Sequence, residues 1–160
     1  MVTSAMQTAI AQAQVCEKQT GLWTSLTVAQ WGLESGFGAH CPGNNPFGIK
    51  YSPATSPSSQ LLWTTEIIYG KPQRVQAKFA AYPTLAAAFA DHARLLTHGS
   101  YLPAWIAYKN DSTPDRFIAA FAPIYATDPL YQTKMESIIN EYRLKQYDRI
   151  ALPLLGIAEE

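Results

Sequence analysis

The sequence predicts a mainly helical α+β fold with one small β-hairpin lobe, and three observations carry that expectation. Apolar residues recur at three- and four-residue spacing through several segments, as in Leu22, Leu26, Ala29 and Leu33. The period changes to alternation in one region, where Val75, Ala77 and Phe79 interleave with Arg74, Gln76 and Lys78. Finally, 160 residues with 48% hydrophobic and 15% charged content suit one globular domain with a substantial core. That domain is assigned to residues 1–150, with 151–160 as a C-terminal tail.

Taken in order, residues 2–18 form an Ala/Gln-rich amphipathic helix, and Gly21 separates it from a second helix over 23–36. A turn-rich loop, 39–46, leads to a short extended piece, Phe47 to Tyr51. Residues 52–60, SPATSPSSQ, read as an exposed, mobile loop. Leu61 to Tyr69 is rich in β-branched and aromatic residues, and Gly70-Lys71-Pro72 punctuates it before the alternating run 74–79. The pair predicts a β-hairpin with one apolar face, its turn at Gly70 and Pro72. Thr84 caps a helix to about residue 97, with Leu85, Ala88, Phe89, His92 and Leu96 on one face. Pro114 opens a helix over 114–122. Thr127 or Asp128 caps a last helix led by Pro129, with Tyr131, Met135, Ile138, Ile139 and Tyr142 as its buried stripe.

Twelve basic residues balance twelve acidic ones, so the net charge is zero and nucleic acid is not an expected partner. No run approaches the 18 or so apolar residues of a membrane span, and no membrane insertion is expected. His40, His92 and His98 show no ligand spacing, so neither a metal nor another cofactor is expected. His92, on an apolar helix face, reads as a packed, hydrogen-bonded core residue rather than a catalyst. Pairing of Cys16 with Cys41 would join the end of the first helix to the loop after Glu34; two cysteines leave that question open.

The stretch that looks built for chemistry is Gln30-Trp31-Gly32-Leu33-Glu34-Ser35-Gly36-Phe37-Gly38. Glycines just past the periodic residues mark a helix C-terminus, so Glu34 sits in the last turn, at the negative end of the macrodipole. Trp31, one turn back, is placed to cover the carboxyl with an apolar plane. Both effects raise a carboxyl pKa, as a proton donor working near neutrality requires. The loop that follows, Cys41-Pro42-Gly43-Asn44-Asn45-Pro46-Phe47-Gly48, supplies turns and amides. An acid beside an amide-lined cleft suits sugar binding and glycoside cleavage. A second acid, Glu66, lies on the predicted first strand, either as a solvated cross-strand partner of Lys78 or Arg74 or as a working carboxylate held on a rigid element.

These motifs occur in an order that resembles a known family. After Gly32-Leu33-Glu34-Ser35-Gly36-Phe37-Gly38 come Asn44-Asn45-Pro46-Phe47-Gly48-Ile49-Lys50, Thr65-Glu66 and Lys78-Phe79-Ala80-Ala81-Tyr82-Pro83. Ala88-Phe89-Ala90-Asp91-His92-Ala93 and Tyr125-Ala126-Thr127-Asp128-Pro129-Leu130-Tyr131 close the series. The chain resembles, over about residues 5–148, the bacterial and phage endo-β-N-acetylglucosaminidases of glycoside hydrolase family 73, which include autolysins and a flagellar muralytic domain. It departs from the family at Phe37, where Trp is common, at Pro46, where Leu is common, and at Ala80, where Arg is frequent.

The resemblance implies a lysozyme-like fold whose β-lobe flanks a substrate groove. It implies a catalytic acid at Glu34, a second carboxylate at Glu66 and an active-site tyrosine at Tyr125. Asn44, Asn45, Phe47, Tyr82 and Asp128, standing in the same motifs, become the expected substrate-binding residues. The implied reaction is hydrolysis of peptidoglycan after N-acetylglucosamine, with Glu66 activating water or the substrate's 2-acetamido group acting in its place. The competing expectations are a lytic transglycosylase on the same polymer and a non-catalytic glycan-binding or assembly module. The expected partner is the peptidoglycan strand and the expected state a monomer. Residues 1–15 lack the pattern of a secretory signal, so export by a holin, a phage particle or another route is expected, with action in the periplasm or outside.

Overall fold

Helix α2, Thr24–Ser35, is the most enclosed helix of the fold. From Thr24 to Gly32 every residue is buried, so the helix is enclosed on all sides rather than along the one face its periodicity suggested. In the computed structural model, which describes residues 1–149, the order is α1 Ser4–Thr20, α2, β1 Ser58–Ile68, β2 Lys71–Ala81, α3 Leu85–Thr97, α4 Leu102–Tyr108, α5 Asp115–Tyr125 and α6 Tyr131–Glu141. The expected tail, 151–160, lies outside the described residues.

Helix α1 begins at Thr3, whose side chain accepts from the Met6 N–H, and ends at Gly21 in the left-handed conformation. It buries Met6, Ala9, Ile10, Ala13 and Cys16, a continuous stripe at helical spacing. Helix α2 has no side-chain cap of its own. Two carboxylates from elsewhere serve its first turn: Glu17 accepts from Thr24 N and Oγ1, and Asp148 accepts from Ser25 N and Oγ. Negative charge at a helix N-terminus is favourable, and these bonds satisfy donors the helix cannot.

Several boundaries differ from expectation for local reasons. The strands are longer than predicted and pair without a break from Ser58↔Ala81 to Ile68↔Lys71. The turn is Tyr69-Gly70, both at positive φ (51° and 75°), as a two-residue hairpin turn requires; Pro72 stands in β2, opposite Ile67. The exposed loop shrinks to residues 52–57, where Ser52 and Ser56 bond one another. Helix α4 was not anticipated: it is seven residues long, and Trp105 anchors it edge-on to Trp23 at 5.9 Å. Helix α5 runs through Pro123 to Tyr125, three residues past the expected end. Helix α6 begins at Tyr131, because Asp128 forms a turn with Leu130 before the helix starts. Cys16 and Cys41 are both free thiols.

The hairpin projects from the helical body. Along β1 the half-buried Leu62, Thr64, Glu66 and Ile68 alternate with Leu61, Trp63 and Ile67, each about 60% exposed. Its base is tied down: Lys50 bridges Phe79, and Asn45 donates to the Ile49 and Ala80 carbonyls while its own oxygen accepts from Ile49 N–H. Among the described residues no helix is long and apolar enough to cross a membrane.

Candidate active site

Glu34 is the penultimate residue of α2, placed there by an abrupt helix end. Gly36, Phe37 and Gly38 take φ of 58°, 57° and 86°, three successive left-handed residues that no helix can continue through. Ser35 locks the turn, its hydroxyl donating to Trp31 O and accepting from Gly38 N. Gly32 makes room for the turn, since a Cβ there would lie 2.8 Å from the Phe37 ring. The helix ends within one residue of the predicted position, and of its last three side chains Glu34 alone lines a groove.

Glu34 lies where two halves of that groove meet. One half is lined by His40, Pro42, Asn45, Pro46, Leu62, Trp63 and Phe79, the other by Phe47, Ile49, Lys50, Thr65, Leu95, Tyr125, Ala126, Thr127, Asp128 and Tyr131. Glu34, Gly48 and Thr64 belong to both. A long polymer lying along the groove would therefore pass the carboxyl with units on either side.

Glu34 keeps surface open to solvent, but protein atoms crowd its carboxyl, and the crowding governs its proton affinity. Desolvation raises the pKa above the usual carboxylate range, while a 2.6 Å hydrogen bond from the Tyr131 hydroxyl to Oε1 works the other way. The covering ring expected from Trp31 is supplied otherwise. Trp31 is buried against Phe37 and lines neither half of the groove. Tyr131 touches the carboxyl, with Tyr125 stacked on it at 5.5 Å.

Tyr125 is the last residue of α5, and it lines the same half-groove as Glu34. Its hydroxyl donates to Phe47 O at 3.2 Å, and burial beside the Glu34 charge holds its pKa well above the usual phenol value. Glu66 occupies the half-buried face of β1 but is not among the groove-lining residues; it is tied to Lys50, not to Lys78 or Arg74, at 2.5 Å. Lys50 thus stands in the groove with Glu66 behind it.

The expected substrate-binding residues divide. Asp128 lines the groove, paired with Lys134 at 2.6 Å, and this pairing lowers its pKa. Asn44 spends its amide on Tyr82 O. Asn45, 4% exposed, forms part of the groove wall but commits its amide to backbone. Phe47, at 1% exposure, stacks on His92 at 4.0 Å inside the core, and only its backbone reaches the site. Tyr82 is buried with its hydroxyl on Asp91, away from the groove. The shared motifs made these four expected ligands; in the structure the side chains of Asn44, Asn45 and Tyr82 bond within the protein and that of Phe47 packs in the core.

Sequence reasoning missed the polar contacts of Gln30 and Tyr131. Gln30 lies four residues before Glu34 and so shares its helix face. Its amide donates to the Tyr131 hydroxyl at 2.9 Å, and its oxygen faces His92 Nε2 at 2.7 Å. By its helical spacing Tyr131 belongs only to the buried stripe of α6. The spacing of Gln30 to Glu34 was legible, whereas the arrival of Tyr131 from the last helix was not.

Comparison with known proteins agrees with this architecture. A family model for glucosaminidases, described as mannosyl-glycoprotein endo-β-N-acetylglucosaminidase, matches residues 10–144. The chain is 32% identical over 149 residues to the exo-glucosaminidase LytG of Bacillus subtilis, covering 86% of this chain and 50% of that protein. It is 31% identical to the peptidoglycan hydrolase FlgJ of Salmonella typhimurium, covering 82% of this chain and 43% of that one. The chain thus spans half or less of the length of these relatives. The crystal structure of the catalytic domain of the autolysin Auto from Listeria monocytogenes superposes with a TM-score of 0.76 at 30% identity, covering 92% of this chain and 90% of that domain. The expected lysozyme-like arrangement of helices and small β-lobe is the fold these proteins share. By the extent of the matching family model and by these identities, the chain belongs to the glucosaminidase family, glycoside hydrolase family 73.

Proposed function

We propose that this protein hydrolyses the glycan strands of peptidoglycan at the β-1,4 bond after N-acetylglucosamine, with Glu34 as general acid. The observation that carries the reading is a desolvated carboxyl of raised pKa at the junction of two half-grooves. Such an acid holds its proton until the leaving oxygen takes it, and the groove offers room for sugar on both sides. Charge developing at the anomeric carbon then needs support from a carboxylate or from the substrate.

Glu66 is the candidate to activate water, once a substrate draws the hairpin inward and displaces Lys50. Tyr125, a neutral hydroxyl in the same half-groove as Glu34, is the candidate to orient the substrate's 2-acetamido group, the alternative nucleophile in substrate-assisted hydrolysis. The site of action is the bacterial cell wall.

The decisive experiment is Glu34→Gln assayed on purified cell walls, with the released ends analysed. The expected result is a fall in lysis of about 10²-fold or more at unchanged melting temperature, and wild-type products ending in reducing N-acetylglucosamine. Undiminished lysis by the variant removes Glu34 from the mechanism, and anhydro-muramyl ends make the enzyme a transglycosylase.

A further inference from the structure

A chain of four side chains runs from the core to the acid: His92, Gln30, Tyr131, Glu34. Its contacts measure 2.7, 2.9 and 2.6 Å in that order. The groups come from three helices, α3, α2 and α6, so the tertiary fold alone assembles them. From this geometry we infer that Gln30 and His92 are positioning residues which, acting through Tyr131, keep the catalytic proton of Glu34 on Oε2, the oxygen free to meet the leaving group. This rests on the assignment of Glu34 as general acid.

The polarity of the chain follows from its buried end. His92 is fully buried and stacked on Phe47, and desolvation lowers its pKa to about 3, so the ring is neutral and carries one N–H. Its Nδ1 meets no partner among the described residues. A bare acceptor there is tolerated more readily than an orphaned buried N–H. The hydrogen therefore sits on Nε2 and points at the Gln30 oxygen. That fixes the Gln30 amide with its NH₂ toward Tyr131, whose oxygen must accept. The Tyr131 proton has only Glu34 Oε1 left to meet. Oε1 is then an acceptor in every state of the site, and a proton on Glu34 is confined to Oε2, which has no hydrogen-bond partner among the described residues. With the opposite polarity, Glu34 would donate its proton inward to Tyr131 and away from the substrate. Bonds in series also polarise one another, which strengthens the last donor.

The other titratable groups around Glu34 lie outside the chain. Tyr125 at the end of α5 donates to Phe47 O, Lys50 is paired with Glu66, and Asp128 with Lys134. His40 lines the opposite half-groove, and the β1 residues of the two halves, Leu62, Trp63, Thr64 and Thr65, do not titrate.

The test measures kcat and KM against pH, on a soluble glycan substrate, for Y131F, Q30M, H92L, H92Q and Q30M/Y131F. Losing the donor to Oε1 moves the basic limb of the kcat profile upward, by about half a unit to one unit in Y131F, and reduces kcat about tenfold with KM within twofold. Q30M and H92L shift the limb in the same direction by less, and H92Q, which keeps a donor where Nε2 stood, restores the wild-type limb. The double variant is no worse than Y131F, because Gln30 acts through Tyr131. Unmoved limbs in folded Y131F and Q30M, with activity lost only in proportion to stability, overturn the inference; so does additivity in the double variant. Should H92L not fold, Q30M, Y131F and their double variant decide the coupling. Failure here leaves the Glu34 assignment standing if Glu34→Gln is inactive, whereas an active Glu34→Gln removes that assignment directly.

Discussion

Replacing Asn45 by alanine separates a structural residue from a substrate ligand. The wild-type amide makes three bonds at 2.9–3.1 Å, donating to Ile49 O and Ala80 O and accepting from Ile49 N. The Ala80 carbonyl keeps a second donor, Gln60 Nε2 at 3.0 Å, so its loss is softened. Ile49 N–H has no such reserve and sits at a residue only 8% exposed. An orphaned buried donor costs about 1–3 kcal/mol and each lost net bond about 1. The sum, about 3 kcal/mol, corresponds to roughly 6–12 °C in melting temperature for a chain of this length. Urea unfolding reads the stability, and kinetics at a temperature where the variant stays folded read the site. The expected outcome is a large loss of stability with KM within twofold of wild type. Stability within about 0.5 kcal/mol of wild type, together with a severalfold rise in KM, would refute the reasoning and return Asn45 to the substrate.

Two further outcomes follow from the same contacts. Asp148→Ala removes two hydrogen bonds to a charged acceptor at the start of the buried helix and should cost about 2–3 kcal/mol, part of the gross loss being offset by relief of carboxylate desolvation. Burial raises the Asp148 pKa to about 6, above the ordinary 3.8, so the native state holds the proton more tightly than the unfolded chain. Stability contributed by that proton is present at the acid end and lost as pH rises through about 6; the gap between wild type and Asp148→Ala should therefore widen as pH falls from 7.5 to 4.5 in chemical denaturation, and a constant gap contradicts the assignment. Glu66→Gln breaks only a half-exposed ion pair and should leave stability within about 1 kcal/mol while lowering kcat tenfold or more. An unchanged kcat assigns the second step to the substrate's acetamido group and Tyr125.

Local rules, acting over a few residues, determined much of this protein from sequence. Capping at Thr84, the left-handed stop at Gly36 and the period change before Val75 each depend on neighbours within about one helical turn, so every helix but α4, the hairpin and the position of Glu34 were legible. The family, too, was legible in the order of motifs. Tertiary structure decided which side chains line the groove and which are held inside the protein. Asn44, Asn45, Phe47 and Tyr82 share the site's segments, yet their side chains meet carbonyls, a buried histidine or Asp91, partners between 4 and 45 residues away in sequence. Tyr131 reaches Glu34 across 97 residues, and Glu66 finds Lys50 across 16. Sequence periodicity shows that a side chain is turned inward; what a buried polar atom meets there depends on elements brought together only when the core closes, because an unpaired buried group is too costly to leave.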